Sequence, residues 1–163
     1  MSILKARHWS LPIIIALSVL LRVGDAIYLG DTIQEIRGGT YDQISYDRLA
    51  QRVVGGHGFT FDRDWWPSTR AGEPTAHWSY AYTLYLAGIY WLSGHHPLIA
   101  RLIQALTVGL LMPSLLYRIA RRTFDERTGL IAAAIAAVYL YFVHYAASLM
   151  TEAFYITALL WII

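Results

Sequence analysis

The sequence predicts an all-α, polytopic membrane protein. Three observations carry that prediction. Of 163 residues, 56% are hydrophobic and only 15% are charged, where a soluble domain carries about 25% charged residues. The 14% aromatic content is dominated by 12 Tyr and 6 Trp, the rings that gather at lipid–water boundaries. Long apolar stretches alternate with polar ones at the spacing of membrane spans. The same composition excludes other classes. A net charge of +2 with no basic run argues against nucleic acid as a partner. The absence of Cys excludes disulfides, thiolate zinc sites and thiol nucleophiles.

The first span is expected at about 11–29, with Pro12 in its first turn, where a missing N–H costs nothing. Lys5 and Arg7 precede it, and no small-x-small cleavage site follows, so it reads as an uncleaved anchor. Arg22 and Asp25 lie near its far end, within reach of the interface.

From Gly30 to Glu73 the chain is polar, with seven acids and five arginines. Within it, Tyr46, Leu49, Ala50, Val53 and Val54 repeat at helical spacing, predicting a short amphipathic helix over about 43–54 that stops at Gly55-Gly56. Its apolar face suits a position flat on a membrane surface. A second interfacial helix is expected over about 75–93, a stretch that holds six aromatics and His77. Further spans follow at about 97–117 and 128–145, and an apolar segment over 152–163. That segment falls short of the roughly 20 residues of a span, so the sequence is expected to be the N-terminal part of one larger integral membrane domain.

Charge asymmetry orients these elements. Cytoplasmic loops are rich in Lys and Arg. Lys5 and Arg7 put the N-terminus inside, and Arg118, Arg121, Arg122 and Arg127 put the turn after the second span inside as well. Both are satisfied if 75–93 lies in the interface and 30–96 forms one outer loop. The chain then returns outside near Ser148–Glu152, so that Asp42 and Glu152 share a face.

Those two acids are the candidate catalytic residues. Asp42 falls on the apolar Tyr46/Ala50 stripe, where a carboxylate is costly without a partner or a task. A helix N-cap is the competing role. Asp47 belongs to the polar face with Arg48, Gln51 and Arg52 and reads as a solvated surface acid. Glu152 stands alone in apolar sequence, either a functional intramembrane acid or a first-turn acid complementing a helix dipole behind Thr151. His95 and His96 read as a turn before Pro97, and His77 and His144 as interfacial hydrogen-bonders. Arg63 and Arg70 are phosphate contacts or solvated arginines. Neither a P-loop nor a dinucleotide fingerprint is present.

The order of several short motifs resembles the GT-C membrane glycosyltransferases, in particular the family 39-like group of protein O-mannosyltransferases and aminoarabinose transferases. Asp42 with Tyr46 and Ala50 after it resembles the outer acid beyond the first span. Leu49-Ala-Gln-Arg-Val-Val-Gly-Gly-His-Gly-Phe59 resembles the helix-then-Gly-x-Gly-Phe segment. Pro74-Thr-Ala76 with Leu84-Tyr-Leu-Ala-Gly-Ile-Tyr90 resembles the second loop helix. Arg101-Leu-Ile-Gln-Ala105 and Tyr117-Arg-Ile-Ala-Arg-Arg-Thr-Phe124 resemble the next span and its basic turn. Ser148-Leu-Met-Thr-Glu152 resembles the outer acidic motif of the following helix. Trp78-Ser79-Tyr80 departs from the Pro-Pro or Pro-Gly-Tyr usual there.

The resemblance implies transfer of a sugar from a polyprenyl-phosphate donor to a lipid, glycan or protein acceptor at the outer face of a bacterial inner membrane, within the cell envelope. Asp42 is then the base of a direct displacement. Glu152 orders the site or holds a divalent cation. Tyr46, Arg63, Arg70 and His77 contact substrate, and no dedicated metal site is assigned. The 163 residues alone are expected to be inactive. The rivals are an inactive fragment of such an enzyme, or a non-catalytic scaffold or transporter subunit whose acids pair with Arg22 or Arg37.

Overall fold

The computed structural model describes residues 2–33 and 42–163, with side chains from residue 10 onward. Arg37 and the side chains of Lys5 and Arg7 lie outside the described residues. Among the described residues the secondary structure is helical, apart from the isolated bridges Thr60–Pro74 and Trp65–Thr69. The helices are α1 (Ser2–Leu29), α2 (Asp42–Val54), α3 (Tyr80–Ser93), α4 (Pro97–Thr123), α5 (Glu126–Val138), α6 (Leu140–Ala147) and α7 (Glu152–Ile162). Within them, Ser10–Leu29 and Pro97–Thr123 are long and apolar enough to cross a membrane, and α5 and α6 together form a third, broken candidate. The chain is an all-α polytopic membrane protein. Because α1 begins at Ser2, Pro12 sits inside the helix rather than in its first turn, and it forfeits one backbone hydrogen bond there.

The chain divides into two compact units. The first comprises Met1–Tyr28, Arg101–Ser148 and Glu152–Ile163. Its core is Val108, Met112, Ala146 and Ala153, with Leu116, Phe142, Phe154, Ile156 and Leu160 packed around them. Two glycines let helices approach closely, as small residues do in membranes. A Cβ on Gly109 of α4 would lie 3.0 Å from the Val19 Cα of α1, and one on Gly129 of α5 would lie 2.9 Å from the Tyr117 carbonyl oxygen of α4.

The span expected over 128–145 is not one helix. It bends by 55° at Tyr139, between α5 and α6. Tyr139 keeps its amide bond to the Ile135 carbonyl but is itself extended (φ −65°, ψ 115°), so the carbonyls of Ala136 and Ala137 lose the donors four residues on. In a bilayer such groups have no water to turn to. Arg22 of α1 supplies both, donating from NH2 to the Ala136 carbonyl at 2.9 Å and from NH1 to the Ala137 carbonyl at 3.1 Å. NH1 also donates to the Ser18 hydroxyl at 2.7 Å. Arg22 is therefore fully buried. The reach to the interface expected for it is not observed, and its partners are carbonyls at a helix C-terminus rather than an acid, an arrangement that the helix dipole also favours.

Gln104 of α4 does the same for the end of α6. Its Nε2 donates to the carbonyls of Tyr145, Ala146 and Ser148 at 3.1, 3.2 and 2.8 Å. Side chains on α1 and α4 thus replace the backbone partners that the broken span gives up.

The second unit comprises Leu29–Ala100 and Leu149–Thr151. Here α2 packs on α3 through Tyr46, Leu49 and Ala50 on one side and Tyr82, Leu86, Ala87 and Tyr90 on the other, all buried. Helix α2 stops where Gly56 takes φ 77° and the His57 amide bonds back to the Arg52 carbonyl. Helix α3 starts at Tyr80 because Ser79 caps it, accepting from the Tyr82 amide.

Candidate functional site

Asp42 is the first residue of α2, in its opening turn and half-buried. It thus lies one position inside the N-cap that its residue type favours. Its carboxylate makes no hydrogen bond or ion pair among the described residues.

Tyr46, one turn along, is 8% exposed. Its ring meets Trp78 and Tyr82 edge-on at 5.4 and 4.9 Å, and its hydroxyl accepts from the Ser79 amide at 3.3 Å. The departure at Trp78-Ser79 from the resembled pattern therefore has a local role: Trp78 walls in Tyr46 and Ser79 caps α3.

The loop residues Arg63, Arg70 and His77 are exposed. Arg63 lies 3.9 Å from Asp62 and 6.0 Å from the Trp65 ring. His77 meets the rings of Trp66 and Trp78 edge-on at 5.6 and 5.0 Å. Beneath them, Trp65 is held between Phe61, stacked at 4.8 Å, and the Arg48 guanidinium at 4.7 Å, while its Nε1 donates to Ser45.

Asp47 departs most from its expected role. It is 6% exposed rather than solvated. Oδ1 accepts from the Tyr90 hydroxyl at 2.7 Å and faces His95 Nε2 at 2.8 Å, and Oδ2 accepts from Gln51 Nε2 at 2.7 Å. Tyr90 of α3 and His95 in the turn after it enclose Asp47 alone, while Gln51 on the same polar face stays exposed and Arg48 and Arg52 are half-buried. The adjacent His95 and His96 diverge as a turn requires, and His96 Nδ1 lies 3.9 Å from Asp31. Asp31 also accepts from the Leu98 amide at the start of α4.

In the other unit, Glu152 opens α7. It lines a cavity of about 170 Å³ with Met112, Tyr141, Phe142, Tyr145, Ala153 and Ile156. Its carboxylate has no partner among the described residues. Tyr141 also lines a second cavity, of about 320 Å³, with Asp25, Leu140, Val143 and His144. Asp25 Oδ2 and His144 Nδ1 are 3.2 Å apart there, a pairing that the residues' sequence positions, 119 apart, do not announce.

Asp42 and Glu152 belong to different units, and each is described in its own. Among the described residues no three His, Asp or Glu side chains are grouped to hold a metal ion. At the basic turn, Asp125 caps α5, and hydrogen bonds from Thr128 hold its carboxyl below the usual carboxylate range.

A family model described as dolichyl-phosphate-mannose-protein mannosyltransferase matches residues 78–163. No curated protein and no solved structure gives a significant match.

Proposed function

The chain belongs to the dolichyl-phosphate-mannose-protein mannosyltransferase family, and on that premise we propose that it serves transfer of a sugar from a polyprenyl-phosphate donor to an acceptor hydroxyl at the outer face of a membrane. Membership makes it a glycosyltransferase of the GT-C kind, embedded in the membrane through its apolar helices. Dolichyl phosphate mannose is the donor that the family's description names. A bacterial inner membrane, as the resemblance implies, and a cytoplasmic N-terminus, on the charge asymmetry set out above, complete the reading.

In this mechanism the acceptor oxygen attacks the anomeric carbon, forming a new C–O bond. The bond from that carbon to the phosphate oxygen breaks, and the lipid phosphate departs with the electron pair. The hydroxyl proton passes to Asp42 as general base. One displacement inverts the anomeric carbon, and no covalent enzyme intermediate is needed.

The observation that carries the assignment is the Asp42 carboxylate itself: half-buried at the start of a packed helix, with no partner among the described residues. Tyr46 supports it by bracing Trp78 and Ser79. Arg63 and Arg70 offer positive charge to the leaving phosphate, and exposed His77 offers a polar contact to substrate. Glu152 is the second acid, ordering substrate or a divalent cation.

The test is Asp42→Asn in a longer form of the protein that transfers sugar, assayed in membranes with a polyprenyl-phosphate donor. Loss of a general base costs about 10²–10⁴-fold in rate, at unchanged expression. Transfer at the normal rate would reject Asp42 as base.

A further inference from the structure

The cavity beside Asp25 and His144 has no place in the reaction just described. Two of its walls, Leu140 and Val143, are apolar, and Tyr141 presents a ring. At its polar end, Asp25 Oδ2 faces His144 Nδ1 at 3.2 Å. In a neutral imidazole the nitrogen facing a carboxylate oxygen carries the proton, and the other ring nitrogen keeps its lone pair. Asp25 Oδ1 and His144 Nε2 are then both acceptors. Neither has a partner among the described residues, and the two side chains are 23% and 33% exposed. An acid placed in an apolar span is a mark of function.

A ligand matching this cavity brings two adjacent hydrogen-bond donors together with apolar faces. Vicinal hydroxyls of a pyranose ring supply the donors, and the ring's C–H faces suit Leu140, Val143 and the Tyr141 ring. A small ammonium ion would satisfy the acceptors but leave the apolar walls uncovered. At about 320 Å³ the cavity lies at the lower end of small-ligand sites, which run to roughly 1,000 Å³, a size suited to a single sugar. We propose that the cavity between α1 and α6 is a sugar subsite, in which Asp25 and His144 accept hydrogen bonds from a vicinal diol. The proposal rests on the glycosyltransferase reading for its ligand class, and assigns that class to residues which the displacement mechanism does not use.

The test is photolabelling of the protein in lipid nanodiscs with a diazirine-bearing octyl mannopyranoside, its adducts mapped by mass spectrometry. Labelling should fall on α1 near Asp25 and on α6, and free methyl mannopyranoside should suppress it. Asp25→Asn should reduce it about tenfold, the worth of a hydrogen bond to a charged group, and His144→Phe about fivefold, that of a neutral one. Thermal unfolding followed by circular dichroism confirms that each variant is folded; Asp25→Asn, which keeps the side chain's shape, decides the matter if His144→Phe does not fold. Three results would overturn the proposal: equal labelling by a diazirine-bearing octyl chain without the sugar, labelling unchanged in the folded variants, or competition by an alkylammonium in place of the mannoside. Sugar transfer without this labelling sinks the subsite alone. Labelling that persists while Asp42→Asn leaves transfer at the normal rate sinks Asp42 as base and leaves the subsite standing.

Discussion

Asp47 Oδ1 and His95 Nε2 stand 2.8 Å apart, joining the middle of α2 to the turn between α3 and α4. The same oxygen accepts from the Tyr90 hydroxyl. One carboxylate thus ties together three consecutive pieces of the second unit.

That network should be visible in stability. Asp47→Ala removes the carboxylate that accepts from the buried Tyr90 hydroxyl and from the exposed Gln51 amide. Taking a hydrogen-bond acceptor from a buried hydroxyl costs about 1 kcal/mol or more, whereas removing a solvated acid costs within roughly 0.5 kcal/mol of nothing. Thermal unfolding in detergent separates the two, and a melting temperature equal to the parent's would return Asp47 to the surface class.

Arg22 gives a second test. Arg22→Met fills similar space but abandons the carbonyls of Ala136 and Ala137. The expected loss is about 2 kcal/mol or more, since each stranded group costs roughly 1–3 kcal/mol. Arg22→Lys should recover part of it, because an ammonium reaches a carbonyl but lacks the planar fork. Identical unfolding curves for the Met variant and the parent would show that the break at Tyr139 is held by other means.

The glycines make a matched pair of substitutions. Gly109→Val pushes a Cβ to 3.0 Å from the Val19 backbone, and overpacking of this kind costs about 1–3 kcal/mol. Gly24→Ala meets nothing within 4 Å and should be neutral or stabilising by up to about 1 kcal/mol through helix propensity. Equal effects from the two would mean that α1 and α4 do not meet closely at Gly109.

Glu152 is tested by a split between rate and stability. Glu152→Gln keeps the side chain's size in its cavity while removing the charge. An electrostatic role in transfer predicts a fall in kcat of about 10²-fold with the melting temperature held. The opposite pattern, a lowered melting temperature with kcat unchanged, would assign Glu152 to the start of α7 alone.

Much of the architecture is written locally. The stripe from Tyr46 to Val54 and the glycines after it mark α2, which runs Asp42–Val54, because amphipathic spacing and a helix stop are both properties of neighbouring residues. An aromatic-rich composition with few charges likewise marks the chain as a membrane protein. Asp42 and Glu152 stand out as candidates because a carboxylate among apolar residues needs a reason. Asp47 was misread for the converse reason. Its neighbours on α2 are Arg48, Gln51 and Arg52, and nothing within one helix says that Tyr90 and His95, more than forty residues on, close over Asp47.

By itself, then, the sequence determined the all-helical membrane class, the helix α2 and which acids stand out, since periodicity and the cost of charge in apolar surroundings act over a few residues. Only the tertiary structure decided the break at Tyr139, the burial of Arg22 against the carbonyls it exposes, the enclosure of Asp47 and the meeting of Asp25 with His144. Each of these depends on polar groups from distant segments satisfying one another. Where water is excluded that satisfaction is compulsory, and which partner supplies it is set by packing.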